Sequence, residues 1–191
     1  MCSPSNSTLH PRTPATGLLS VAVERDLTWR IVDVAYDDAR ARDLRRQLDD
    51  DLGARYDGFH GDEPDERRRA RARALATHPD EIVATLIALA AEAGADEAPA
   101  GHVILRRLGD EWEIKRLIVA PGFRGLGIAR GLMSAALEAA RADGAERVIL
   151  QTGLQQPESM ALYASMGFSR IPVYEPYVET MPRSVCFALS L

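Results

Sequence analysis

The chain reads as an α/β protein built on one mixed sheet. Short β-branched or continuously apolar runs alternate with stretches of helical periodicity. At 191 residues and 46% apolar content, there is enough chain for one substantial core and too little for two. Between residues 113 and 130, EIKRLIVAPGFRGLGIAR, an apolar strand passes through a glycine-spaced loop straight into a helix.

Residues 1–17, rich in Ser, Thr and Pro, read as a flexible arm, and residues 18–191 as a single folded domain. Residues 28–35 alternate and are β-branched, a first strand. Asp37 or Asp38 can cap the helix that follows, with Ala41, Leu44, Leu48 and Leu52 on one face and Gly53 near its end. Residues 56–60 form a loop, followed by an acidic segment at 61–66. Residues 66–76 carry five arginines and read as a solvated helix whose arginines pair with neighbouring carboxylates.

Residues 80–93 are ambiguous. Their alanine and leucine content favours a helix, whereas a continuous apolar run suits a strand covered on both faces. Gly109–Asp110 turns the chain into a central strand at 112–119. Residues 128–143 are an amphipathic helix with Leu132, Met133, Ala136, Leu137 and Ala140 inward. A strand at 147–152, a helix at 157–165 and short strands at 168–171 and 185–189 complete the order. No internal repeat is present.

A net charge of −5 and a pI near 5.4 argue against a protein that coats nucleic acid. Cys2 and Cys186 match neither a metal spacing nor a disulfide framework, and the four histidines form no ligand pair, so no metal is expected. The run at 18–23 is too short for a secretory signal, and no segment approaches the ~20 apolar residues of a membrane span. A cytoplasmic protein is expected, one that binds neither membrane nor nucleic acid. Lys115, the only lysine among 23 basic residues, reads as codon usage.

The join at 119–130 carries specific chemistry. A helix start leaves about four N–H groups without intrahelical partners and adds roughly half a positive charge. Gly125 and Gly127 have no Cβ, so an anion can approach those donors, and Arg124 adds a planar cation suited to phosphate oxygens. A P-loop would need a lysine here, and there is none. A dinucleotide fold would place an acidic residue after the next strand, about 20 residues on. Glu146 instead precedes that strand.

A third loop type fits residue by residue. Arg124-Gly125-Leu126-Gly127-Ile128-Ala129 resembles the Arg/Gln-x-x-Gly-x-Gly/Ala signature of the GCN5-related N-acetyltransferases (GNAT), which grip the pyrophosphate of acetyl-CoA. The strand before it, from Glu113 to Pro121, is similar to that family's fourth strand. Gln156-Pro-Glu-Ser-Met-Ala-Leu-Tyr163, followed by Met166-Gly167-Phe168, is similar to its last helix and turn. The likeness spans roughly residues 100–189, and faintly the region from residue 28. It implies a largely antiparallel sheet of about six or seven strands, splayed between the fourth and fifth, with helices on both faces. It also places a strand at 85–91, hairpinned through 94–99 to another at 101–107, and the strand is adopted for the ambiguous stretch.

The resemblance implies acetyl-CoA-dependent transfer of an acetyl group to a primary amine, by direct attack in a ternary complex. Such transfer needs a base for the ammonium and an acid for the thiolate. Glu113 occupies the position of the family's water-relaying glutamate, on a face expected to be shared with Lys115, Leu117 and Val119. The bland reading is a rim carboxylate paired to Lys115 or an arginine; Glu111 is a lesser candidate base. Tyr163 matches the family's acidic tyrosine, and its ordinary pKa of about 10 suits a thiolate. The alternative is a core tyrosine bonded to a backbone carbonyl. Gln156 stands where the family often has asparagine and, with Ser159, is placed at the cofactor. Leu117, Ile118 and Val119 are expected to offer backbone groups to the pantetheine arm, beside the cradle of Arg124, Gly125, Leu126, Gly127, Ile128 and Ala129.

For the acceptor, Tyr174 and Tyr177 are candidates to line a pocket, with Tyr56 and Phe59 closing it from the other side. A small amine is favoured over a protein terminus, and a homodimer stays open. Two other classes are carried: a non-catalytic acyl-CoA sensor and a nucleotide-binding protein.

Overall fold

The computed structural model describes residues 27–59, 61 and 63–191; the expected arm at 1–17 and the run at 18–23 lie outside them. Strand β1 (Leu27–Asp33) pairs antiparallel with β2 (Ile82–Glu92), β2 with β3 (Ala98–Leu108), and β3 with β4 (Glu111–Val119). Strand β5 (Arg147–Thr152) runs parallel to β4 and antiparallel to β7 (Val185–Ser190). The last strand inserts before the short β6 (Ser169–Ile171), so the sheet order is β1-β2-β3-β4-β5-β7-β6. Helix α1 (Ala39–Arg55) covers one face, and α3 (Ile128–Ala142) with α4 (Pro157–Ser165) covers the other. Helix α2 (Asp65–Leu75) lies beside α5 (Tyr177–Thr180), a short helix that the sequence pattern did not reveal.

The ambiguous stretch is a strand because both of its edges are paired and both of its faces are covered. Ala84, Leu86, Ala88 and Ala90 join the α3 core, while Ile87 and Leu89 join the α1 core. The alanines that favour a helix by propensity serve here as small side chains beneath α3. Helix α1 is fixed at its start by Asp38, whose side chain accepts from the Arg40 N–H, and it buries Ala41, Leu44 and Leu48.

One irregularity in β4 decides what the site contains. Ile104 pairs with Lys115 and His102 with Ile118, so two residues of β4 face one of β3. Arg116 takes the surplus at φ 59°, in the left-handed region that side chains other than glycine rarely adopt. Past this bulge the alternation inverts. Ile114, Leu117 and Val119 pack toward α3, whereas Ile118 packs toward α1. The expectation that Glu113 and Lys115 share a face with Leu117 and Val119 is therefore corrected.

Gly101 sits where β3 meets α3, and a Cβ there would lie 2.8 Å from the Ile118 carbonyl oxygen and 2.9 Å from Leu132 Cδ1. Gly101→Ala is expected to destabilise the fold by about 1–3 kcal/mol through overpacking. Urea unfolding checks this, with an unchanged midpoint as the contrary result.

Candidate active site

The glycine loop has the conformation its sequence implies. Gly125 and Gly127 stand at φ 81° and 79°, and Gly127 is the N-cap of α3. The Gly131 N–H returns to the Gly127 carbonyl, so the N–H groups before it have no intrahelical partner. A Cβ on Gly125 or Gly127 would meet nothing within 4 Å; their role is backbone conformation and open approach. Trp29 braces the loop from below: its indole N–H donates to the Leu126 carbonyl at 3.2 Å, and its ring fills the space a Gly131 side chain would need. Arg124 is exposed, with its Nε donating to the Val119 carbonyl at 3.2 Å. Ile128 is buried in the core, which leaves its backbone, like that of Ala129, for the cradle.

Next to the loop the sheet opens. β4 and β5 pair only at Trp112–Val148, Glu113–Ile149 and Ile114–Leu150. From Lys115 onward, the edge of β4 toward β5 carries no strand partner among the described residues. A cavity of about 840 Å³ borders this gap, and Lys115, Leu117, Thr152, Gln156, Tyr163 and Tyr56 are among its walls. Thr152 is 3% exposed and its Oγ1 has no hydrogen-bond partner among the described residues, an orphaned polar atom at the mouth of the gap. The open cradle, the unpaired strand edge and this hydroxyl fit an amide-bearing chain that ends in a diphosphate.

Tyr163 lies at the cavity wall, 6% exposed, with its ring edge-on to Phe187 at 5.7 Å and tilted to Phe168 at 6.0 Å. Burial pushes its phenol up to about 12, against a hydrogen bond with Ser159 that pulls the other way. It therefore carries its proton at neutral pH. Gln156 Nε2 donates to the Tyr56 hydroxyl at 3.5 Å, and Tyr56 is seated so close to Gly153 that a Cβ there would lie 1.7 Å from the hydroxyl.

Glu113 is fully buried at the centre of a polar network. Arg106 Nε donates to Oε2 at 2.7 Å, and the Tyr174 and Tyr177 hydroxyls donate to Oε1 at 2.9 and 2.7 Å. Lys115 Nζ donates to the Tyr177 hydroxyl at 2.5 Å and lies 4.0 Å from Glu113. Burial works against the Arg106 charge, but Glu113, together with Tyr177 and Glu81, leaves the guanidinium raised. Burial, with the Glu113 charge second, pushes both tyrosines up. Burial pushes Lys115 down to about 8, with Glu113 opposing.

The profile of the acetyltransferase (GNAT) family matches residues 45–168. The chain belongs to the GNAT family. IAA acetyltransferase of Azospirillum brasilense is 35% identical over 77 residues, 40% of this chain and 50% of that protein. N-acetyltransferase 8 of Rattus norvegicus is 43% identical over 58 residues, 30% of this chain and 26% of that one. The chain thus spans half or less of the length of these curated relatives. Among solved structures, IAA acetyltransferase from Bacillus cereus ATCC 14579 superposes with a TM-score of 0.59 at 18% identity, covering 86% of this chain and 100% of that chain. PaiA N-acetyltransferase from Thermoplasma acidophilum, in complex with coenzyme A, gives 0.54 at 15% identity, covering 86% and 99%. At such identities the likeness is one of fold.

Set on this GNAT frame, the expected residues divide. Arg124, Gly125, Leu126 and Gly127 form the loop and Ile128 and Ala129 open α3; Leu117, Gln156 and Tyr163 meet at the cavity, with Ser159 bonded to Tyr163. Tyr56 and Phe59 line the cavity. Tyr174 and Tyr177 do not: Tyr177 has no exposed surface, and both hydroxyls turn to Glu113. Their aromatic character suggests a pocket, but a buried carboxylate needs donors, and these tyrosines supply them. Glu113 is paired to an arginine, in the interior and not at a rim. Glu111 is held at the surface by Arg147. Sequence reasoning missed Arg106, Thr152 and Lys115. Arg106 is directly opposite Glu113 across the hairpin, and cross-strand register would have found it.

Arg106→Met leaves Glu113 buried without its cation, and a loss of about 3–5 kcal/mol is expected. Arg106→Met/Glu113→Gln should recover part of that loss, because the unpaired charge is gone. Chemical denaturation of the three chains checks the coupling; simple additivity is the contrary result.

Proposed function

We propose that this chain is an acetyl-CoA-dependent N-acetyltransferase that moves an acetyl group to a primary amine by direct attack in a ternary complex. One observation carries the reading: an open helix-start cradle leads along an unpaired strand edge into a cavity walled by a buried, protonated tyrosine. Family membership and the acetyltransferase names of the relatives support it. The coenzyme A complex of the PaiA enzyme supports the choice of co-substrate.

Acetyl-CoA supplies an acetyl group on a thioester. The cradle N–H groups and Arg124 bind the diphosphate. The free edge of β4 at Leu117–Val119 holds the pantetheine amides, with Gln156 and Thr152 as further polar contacts. Tyr163 donates its proton to the departing sulfur, and its high pKa keeps that proton available across neutral pH. The acceptor nitrogen forms the new C–N bond, the C–S bond breaks, and the proton lost by nitrogen balances the one gained by sulfur. Glu113 has both oxygens engaged in the interior, so it acts at one remove. Its carboxylate orients the Tyr177 hydroxyl, which accepts from Lys115 on the cavity wall.

A cavity of about 840 Å³ lies within the ~300–1,000 Å³ of small-molecule sites, which favours a small amine, with Tyr56 and Phe59 on its walls. No helix among the described residues is long and apolar enough to cross a membrane. A buried free thiol at Cys186 suits a reducing compartment such as the cytoplasm.

Calorimetry with coenzyme A tests the cradle. Arg124→Ala should weaken binding by about 1.5–3 kcal/mol, the worth of one charged contact; a wild-type chain that does not bind coenzyme A refutes the reading. Thiol release from acetyl-CoA across a panel of primary amines tests turnover. Tyr163→Phe should lower kcat by ~10²–10⁴-fold with little change in coenzyme A affinity. The loss should shrink for acyl donors whose thiols are more acidic, and a constant loss would reduce Tyr163 to a positioning role.

A further inference from the structure

The chain's only lysine lines the same cavity that Tyr163 borders. We infer that Lys115 Nζ is itself an acetyl acceptor, so that the chain acetylates itself at this one side chain when bound acetyl-CoA meets no other amine. The inference rests on the acetyltransfer reading of the site.

Position comes first. Lys115 immediately follows Ile114, whose pairing with Leu150 is the last before β4 and β5 part, so it stands at the edge of the gap. It is 9% exposed and lines the cavity. The Tyr177 hydroxyl accepts from Nζ and donates in turn to Glu113.

Chemistry comes second. An amine attacks a thioester only when unprotonated, and an ordinary lysine at neutral pH almost never is. Around Lys115, burial disfavours the ammonium, Arg106 and Arg116 add to that effect, and Glu113 and Glu81 oppose it; the balance lies near 8. The neutral amine is therefore easier to reach than in an ordinary exposed lysine. Glu113 and Tyr177 can remain in place through the reaction, since an acetylated nitrogen keeps one N–H for Tyr177. In the step itself, Nζ bonds the acetyl carbon, the C–S bond breaks, and Nζ gives up one proton as sulfur gains one. The products are an amide on Lys115 and free coenzyme A. The added acetyl group would occupy the cavity wall and remove a positive charge beside Glu113, so the modification would slow turnover of other amines.

The purified full chain is incubated with acetyl-CoA and no amine, then examined by intact mass and peptide mapping. One acetyl group at Lys115 is expected, lost in Lys115→Arg and suppressed by excess free coenzyme A. Should Lys115→Arg fail to fold, mapping of the wild-type chain carries the result alone. A chain that binds coenzyme A in calorimetry but leaves Lys115 unmodified overturns this inference and spares the acetyltransfer reading. Modification that persists under excess coenzyme A, or in heat-denatured chain, also overturns it, because the chemistry is then untemplated. A chain that fails to bind coenzyme A overturns both.

Discussion

The end of pairing between β4 and β5 is the constraint on which this site depends. A buried backbone group without a partner costs about as much as a lost hydrogen bond. A sheet that opens in its middle therefore has to place the freed groups where something else can meet them. Here they border a cavity, and the orphaned Thr152 hydroxyl stands at the same opening. Strand β7 completes the constraint from the far side, because it pairs with β5 over its whole length and keeps that strand from closing the gap.

The bulge at Arg116 works together with that opening. Without the surplus residue, Leu117 and Val119 would share a face with the Glu113 network and could not pack under α3. With it, one short strand serves two environments. Its first half presents a carboxylate and a lysine to the α1 side, and its second half returns apolar side chains to the α3 core. The Arg116 side chain forms an ion pair with Asp49 of α1, the helix that covers one face.

The Glu113 cluster shows how a buried charge is kept. One guanidinium and two hydroxyls satisfy the carboxylate, and Arg106 is itself tied to Glu81 and to the Ala76 carbonyl at the end of α2. These partners come from β3, from the segment after α2 and from the segment around α5. The network thus joins pieces of chain that are distant in sequence. Lys115 is the member that also reaches the cavity.

Local patterning was enough to read many of the elements, while the shape of the sheet and the strand at β2 came from the family resemblance. The β-branched alternation of β1, the amphipathic repeat of α3 and the glycine-spaced loop all act through neighbours within a turn or a strand, and a linear sequence displays such neighbours directly. The same holds for the cradle, whose conformation follows from Gly125 and Gly127, and for Tyr163, whose helix and following turn form one continuous motif. What the tertiary structure alone decided involves partners distant in sequence. Arg106 and Tyr177 determine whether Glu113 is an open base or a saturated interior charge, and Tyr177 comes from 64 residues away. The face that Leu117 presents depends on a bulge that no periodicity announces, since it is fixed by register against β3. Lys115 reads as compositional accident until burial is known, because a side chain's proton affinity is set by what surrounds it in space and not by its neighbours along the chain.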